Sequence, residues 1–159
     1  MNDFDAFVDL LDYPVQIVTA AADGERAGCL VGFAGQCSIR PPRFTVWISK
    51  ANHTYAVASR AATLAVHLLP RRRHDLAELF GGRTGDEVDK FASVAWTPGP
   101  DGVPVLTDAA AWFAGRIRDR ADWGDHVGFL LDPLTTRTTG HRRALSFRDV
   151  QDIGAGHPA

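Results

Sequence analysis

The stretch 27-AGCLVGFAGQCSIRPPRFTVWISKANHT-54 decides how this chain is read. It begins as an extended apolar run carrying Gly28, Gly32 and Gly35, meets Pro41-Pro42, resumes as the short strand 43-RFTVWIS-49, and ends in a polar cluster where the strand stops. Proline cannot donate to a sheet ladder, so the pair must stand outside or at the start of the second strand. Glycine within a strand loses conformational entropy and has no side chain to pack. Two readings follow for the glycines: a bulged, sharply coiled barrel strand, or a backbone left bare so that a flat ligand can lie on it. The cluster 49-SKANHT-54 also supports two readings. It is either a phosphate-binding strand-to-helix junction, with Ser49, Lys50, Asn52 and Thr54 as donors, or an ordinary N-cap beside an exposed lysine.

Outward from this stretch, apolar residues and turn signals outline a mostly β chain. Overlapping its start, 13-YPVQIVTAAADGERAGCLVGF-33 reads as a hairpin whose Asp23-Gly24 is a strong turn signal. Before that, Phe4, Phe7, Val8, Leu10 and Leu11 fall at helical spacing, with Asn2 or Asp3 as cap. After it come a short helix capped by Asn52 or Thr54, the strand 63-TLAVHLL-69, and a helix ending at Gly81-Gly82 with Leu76, Leu79 and Phe80 on one face. A loop-rich segment from Arg83 to Asp108 follows. The stretch 109-AAAWFAGRIRDRADWGDHVGFLLDPLTT-136 is a long hairpin, with Phe113, Gly115 and Ile117 on one face of its first arm and Val127, Phe129 and Leu131 on one face of its second. The stretch 142-RRALSFRDV-150 reads as a last strand. Six or seven strands that do not alternate regularly with two or three helices disfavour a parallel sheet. The expected architecture is mainly β (α+β), an antiparallel split β-barrel with peripheral helices, as a single domain over 1–159.

Composition narrows the function classes. The chain has 159 residues, 45% hydrophobic and 23% charged, with net charge −2, so it can bury a core and shows no basic face for nucleic acid. The run Arg71–His74 reads as a solvated helix start. Cys29 and Cys37 lie too far apart along one extended segment to bridge, and no Cys/His spacing suggests a metal site. The N-terminus has no basic, apolar leader pattern and no run approaches a membrane span, so a cytoplasmic location with no membrane partner is expected. No serine-hydrolase elbow, dinucleotide-binding glycine fingerprint or P-loop is present. Asp75, Glu78, Glu87 and Asp89 form no evident acid–base pair. His126, after Gly124-Asp125, reads as either a structural or a catalytic histidine.

The ordered set GCLVGFAGQCSIRPP, ISKANHT, LAELFGG, DKF and GDH resembles the flavin reductase-like family, over about Tyr13 to Pro133. The resemblance implies an FMN-binding split barrel, usually a homodimer, in which NADH or NADPH reduces the flavin (FMN, with FAD possible). Reduced flavin then often passes to a partner monooxygenase. It implies cofactor contacts at Leu30, Val31, Gly32, Phe33, Gln36, Cys37 and Ser38 along the ring. At the ribityl phosphate it implies Ser49, Lys50, Asn52, His53 and Thr54, and beside the pocket Lys90 and Phe91. His126 falls near the nicotinamide as the catalytic candidate. The chain departs from the family's Gly-x-Thr-x-Ser pattern, with Leu30 and Gly32 at the Thr and Ser positions. That departure keeps two alternatives in view, a deazaflavin-dependent reductase and a non-catalytic flavin- or haem-binding carrier or sensor. Trp47, Trp112 and Trp123 offer more aromatic surface than a small barrel hides, a second reason to expect a dimer.

Overall fold

The computed structural model describes residues 2–83, 89–140 and 143–156. Helix α1 (Asp3–Val8) precedes four strands, β1 (Gln16–Ala22), β2 (Glu25–Val31), β3 (Ala34–Ile39) and β4 (Pro42–Ser49). Then come α2 (His53–Ala58), β5 (Thr63–Leu68) and α3 (His74–Gly82), followed by the short strands β6 (Trp96–Pro98) and β7 (Pro104–Leu106). The long strands β8 (Ala111–Asp122) and β9 (His126–Thr138) complete the set. Seven strands form one antiparallel sheet in the order β2-β1-β5-β8-β9-β4-β3, and β6 pairs with β7 separately.

The strand order contains the key feature. β2 and β3 are the two opposite edges of the seven-stranded sheet, yet only Gly32 and Phe33 separate them in sequence. Neighbouring strands sit about 4.8 Å apart, so two residues cannot cross a flat sheet of seven. The sheet must curl until its edges meet, and it stays open along the seam between them: a split barrel. The single extended segment expected from Cys29 to Cys37 is therefore two strands broken at Gly32–Phe33. Cys37 sits at a bulge in β3, between Gln36 paired with Phe44 and Ser38 paired with Arg43.

Local chemistry explains most elements. Asp23 and Gly24 both adopt positive φ (53° and 77°), the pairing that a two-residue β-turn of the right twist requires. Asn2 caps α1 in a reciprocal box with Asp5, and Asn52 accepts from the Thr54 amide at 2.9 Å to cap α2. The β8–β9 hairpin forms as expected, with Val127, Phe129 and Leu131 buried inside the curl beside Phe113 and Ile117. One expectation is corrected. Residues 143–150 form isolated bridges (Pro70 with Ala144, Pro14 with Ser146) and a 3-10 turn at Arg148–Val150 rather than a strand, because Asp149 accepts from both the Ser146 amide and its hydroxyl and winds the chain there. Arg142 and Glu87 lie outside the described residues. The loop-rich region contains a 3-10 turn at Lys90–Ser93 and the β6–β7 pair.

Two cores flank the sheet. Inside the curl, Val18, Ala20, Cys29, Val31, Val46, Ile48, Val66 and Phe129 interlock. Outside, Val15, Ile17 and Leu69 pack against Leu76 and Phe80 of α3, Phe91 and Leu145. Among the described residues no helix is long and apolar enough to cross a membrane.

His67 ties the outer core together. It is fully buried, its Nδ1 lies 2.9 Å from the Ile17 carbonyl, and its Nε2 accepts from the Leu106 amide at 3.1 Å. That pattern needs a neutral ring protonated on Nδ1, and burial pushes its pKa down from 6.5 to about 4. Between those values the unfolded chain takes up a proton that the folded chain refuses. Stability is therefore full above about pH 6.5 and declines as pH falls toward about 4, by on the order of 3 kcal/mol. Urea unfolding across this range should show the decline. A His67→Gln variant should be less stable at neutral pH and decline less steeply, and an unchanged slope would contradict this role.

Candidate functional site

The seam opens into a cleft of about 390 Å³. One wall is the end of β2 and the link beyond it, Leu30, Val31, Gly32 and Phe33. The facing wall is Trp47, Ile48 and Ser49 of β4, with Asn52 and His126 at one end and Phe80 and Gly81 of α3 behind. Tyr13 and Phe147, stacked with ring centroids 5.0 Å apart, close another side. The walls are largely apolar, and the polar groups converge where β4 hands over to α2, the usual distribution in a small-molecule site.

Glycines let these elements approach. A Cβ on Gly28 would stand 2.8 Å from the Phe80 ring, and one on Gly81 would stand 2.9 Å from Leu30, so α3 rides directly on β2 only because both lack side chains. A Cβ on Gly32 would come within 3.2 Å of Tyr13, while one on Gly35 would meet nothing within 4 Å. The expectation that Gly28, Gly32 and Gly35 together form a bed for a flat ring is corrected. Gly28 accommodates Phe80 and Gly35 lies on β3, leaving Gly32 alone in the cleft wall.

Of the residues singled out from the sequence, Leu30, Val31, Gly32, Phe33, Ser49, Asn52 and His126 line the cleft together. The others point elsewhere. Gln36 and Ser38 lie on β3, where the Gln36 amide donates to the Ser38 carbonyl at 3.1 Å, and Cys37 is exposed at the bulge. Lys50 pairs with Asp122 at 2.7 Å on the β8–β9 hairpin, and its amide donates to the Asp125 carbonyl. His53 pairs with Glu25 at 2.9 Å. Thr54 is buried and its hydroxyl bonds the Cys29 thiol, whose pKa burial pushes up to about 11, so Cys29 is a packed, protonated thiol. Phe91 packs edge-on against Phe80 in the outer core.

Lys90 is buried behind β2, and its Nζ donates to the Gly28 carbonyl at 2.9 Å and the Phe80 carbonyl at 3.0 Å. Burial lowers its pKa. This ammonium clamps the cleft strand to the end of α3. His126 is held differently. Its Nδ1 lies 2.6 Å from Asp125 Oδ1 and its ring 5.0 Å from Phe33, so the carboxylate fixes the imidazole and leaves Nε2 as the nitrogen for a ligand. The same contact holds the Asp125 carboxyl below its ordinary pKa. Among the described residues no three His, Cys, Asp or Glu side chains cluster to hold a metal. Sequence reasoning did not find Tyr13, Trp47, Phe80 or Phe147, which reach the cleft through tertiary packing and carry no local signal beyond aromaticity.

The model of the family described as flavin reductase-like domain matches residues 8–151. A protein named FMN reductase (NADH) RutF from Methylorubrum extorquens is 37% identical over 135 residues, covering 85% of this chain and 65% of that protein. A protein of the same name from Bradyrhizobium diazoefficiens is 32% identical over 147 residues, covering 91% of this chain and 81% of that one. The solved nitrilotriacetate monooxygenase component B from Mycobacterium thermoresistibile shares the fold, with a TM-score of 0.80 at 22% identity over 91% of this chain and 80% of that one.

Replacing Lys90 with Met should leave two buried carbonyls without a donor and lower stability by about 1–3 kcal/mol. Thermal unfolding and amide exchange of Cys29–Val31 would register this. A Lys90→Met protein as stable and as protected as the wild type would contradict the clamp.

Proposed function

The chain belongs to the flavin reductase-like domain family, and from that premise we propose that it is an NAD(P)H-dependent FMN reductase, with NADH as the first donor to test. The observation that carries the proposal is the seam cleft, whose apolar walls (Leu30, Val31, Trp47, Ile48, Phe80) converge on a polar end (Ser49, Asn52, His126). A planar heterocycle with a phosphorylated tail needs that combination, and about 390 Å³ lies within the range of cofactor sites. The residues present therefore fit a flavin.

When bound, the flavin supplies the ring that accepts hydride; the chain supplies binding, orientation and electrostatics. Leu30, Val31 and Trp47 present apolar surface that excludes water from the ring faces. The backbone of Gly32–Phe33 offers polar groups, since β2 has no strand neighbour on its seam side. Ser49 and Asn52 hold the β4–α2 turn in shape, with Ser49 Oγ accepting from the Ala51 amide and Asn52 capping α2. Lys50 supplies the positive charge for a phosphate by exchanging its exposed partner Asp122, a surface pair of little net energy. His126, fixed by Asp125, positions the nicotinamide. The protein acts in this reading as a cytoplasmic homodimer that hands reduced flavin to a flavin-dependent monooxygenase. Its two free cysteines fit a reducing compartment.

The absence of hydroxyls at Leu30 and Gly32 favours a second reading, a deazaflavin-dependent reductase with the same cleft. An absorption titration separates the two. Flavin bands that shift on adding FMN and bleach with NADH or NADPH support the first reading. No FMN binding, with reduction of a substrate by reduced deazaflavin, supports the second, and binding without bleaching by either nucleotide marks a carrier.

Two substitutions test the residue roles. Lys50→Ala should weaken FMN binding by about 1–2 kcal/mol and leave riboflavin binding unchanged, because only FMN carries the phosphate; equal effects on both would remove Lys50 from that role. His126→Ala should raise the KM for the nicotinamide several-fold with little change in FMN affinity, and unchanged nicotinamide kinetics would remove His126 from the site.

A further inference from the structure

The far end of the curled sheet holds a second concavity that shares no residue with the seam cleft. It is a groove of about 430 Å³, walled almost entirely by apolar groups including Pro14, Phe44, Val66, Trp112 and Phe113. Since about 150 Å³ accommodates one benzene-sized ring, two aromatic side chains would fit. Gln16 lies in its wall, 4% exposed, and its Oε1 is buried with no hydrogen-bond partner among the described residues. Gln16 thus leaves one polar acceptor in an otherwise apolar wall.

The same chain carries an apolar segment that stays largely exposed among the described residues. Helix α1 has no buried residue, and Phe4, Phe7 and Leu10 are 70%, 59% and 76% exposed, with the two Phe rings stacked at 6.4 Å. This helix is too short to persist in water by itself, and only Val8 of its residues is even half-buried against the described chain. Its base is tied to the outer side of the sheet, where Arg148 contacts the Leu10 carbonyl and the Asp12 carboxylate and Tyr13 stacks on Phe147. The groove opens on the inner side, so the arm is held off its own groove.

We propose that α1 of one copy seats its Phe4–Phe7 face in the barrel-end groove of a second copy, and that the exchange is reciprocal. Three observations select this occupant. Pro14 lines the groove and also begins the arm, so in a two-fold pair each arm departs from the rim of one groove toward the other. The arm, a helix prolonged by turn bonds from the Leu10 and Leu11 amides and followed by a short link to Tyr13, spans about 20 Å from the groove rim. Charge is complementary: residues 2–12 carry Asp3, Asp5, Asp9 and Asp12 with no Lys or Arg. The groove side carries Arg43, which shares the single carboxylate Asp132 with Arg118, leaving that cluster net positive, and exposed Arg40 stands on the adjoining turn. Two exchanged arms with the grooves they fill would remove more than about 1,000 Å² from water, the size of a specific interface.

This inference deepens the homodimer reading by naming its contact, and the test keeps the two apart. Light scattering of the wild type at micromolar concentration should give twice the 17.3 kDa chain mass. A Phe4→Asp/Phe7→Asp variant should give the chain mass with an unchanged circular dichroism spectrum. In a Cys37→Ser background, Phe7→Cys with Thr136→Cys should oxidise to a covalent dimer. A variant that keeps the dimer mass overturns the arm exchange while leaving the homodimer standing. A monomeric wild type overturns both, and an intrachain cross-link, or none, assigns the groove to the chain's own arm or to another ligand and overturns the proposal.

Discussion

The architecture depends on one covalent constraint. Gly32 and Phe33 are all that joins the two edge strands of a seven-stranded sheet. Once β2 pairs with β1 and β3 pairs with β4, those two residues force the sheet to curl, and because β2 and β3 do not pair with each other the curl stays open. The seam is the direct consequence, and the cleft is the seam widened by the side chains that border it. The Trp47 amide donates to the Phe33 carbonyl at 2.9 Å, the last rung of the β3–β4 ladder before the chain crosses over. A ligand site in a small β protein needs backbone that is not already paired, and this topology provides it at low cost to the rest of the sheet.

What borders the seam is held from behind. α3 lies against β2 at glycine distance, through Gly28 under Phe80 and Gly81 beside Leu30, and the Lys90 ammonium joins the two by their carbonyls. A buried ammonium bonded to two neutral carbonyls is costly to desolvate, and the chain retains one where the edge strand has lost its neighbour. Lys90 thus does for β2 part of what a further strand would do: it supplies a donor to a carbonyl that the open sheet leaves over.

The sequence made the local events legible. Asp23-Gly24 marks a turn because both residues tolerate positive φ, Asn52 marks a helix start because its side chain reaches the Thr54 amide, and the period-two burial of Val127, Phe129 and Leu131 is written in their spacing. The break at Gly32–Phe33 was not legible, because apolar residues and glycines continue evenly through Ala27–Ile39 and either a bulge or a crossing suits them. For the site, the residues adjacent to the break and His126 could be found from short motifs. Tyr13 and Phe147 could not, since they meet across 134 positions of sequence and are recognisable only when the two chain ends fold together. Lys90 illustrates the remaining difficulty: only the family resemblance singled it out, and its partners are backbone carbonyls, which leave no trace in side-chain patterns. The apolar spacing of α1 likewise identifies a face without saying whether its own core or another molecule covers it.

The central claim is that the seam, rather than the barrel end, is where a flavin lies. A crystal structure of the protein soaked with FMN tests this most directly. The account predicts density for the three-ring system between Leu30–Phe33 and Trp47–Ser49, with the phosphate toward Lys50 and Asn52. Density in the groove beside Gln16 and Phe113, with the seam cleft empty, would contradict it.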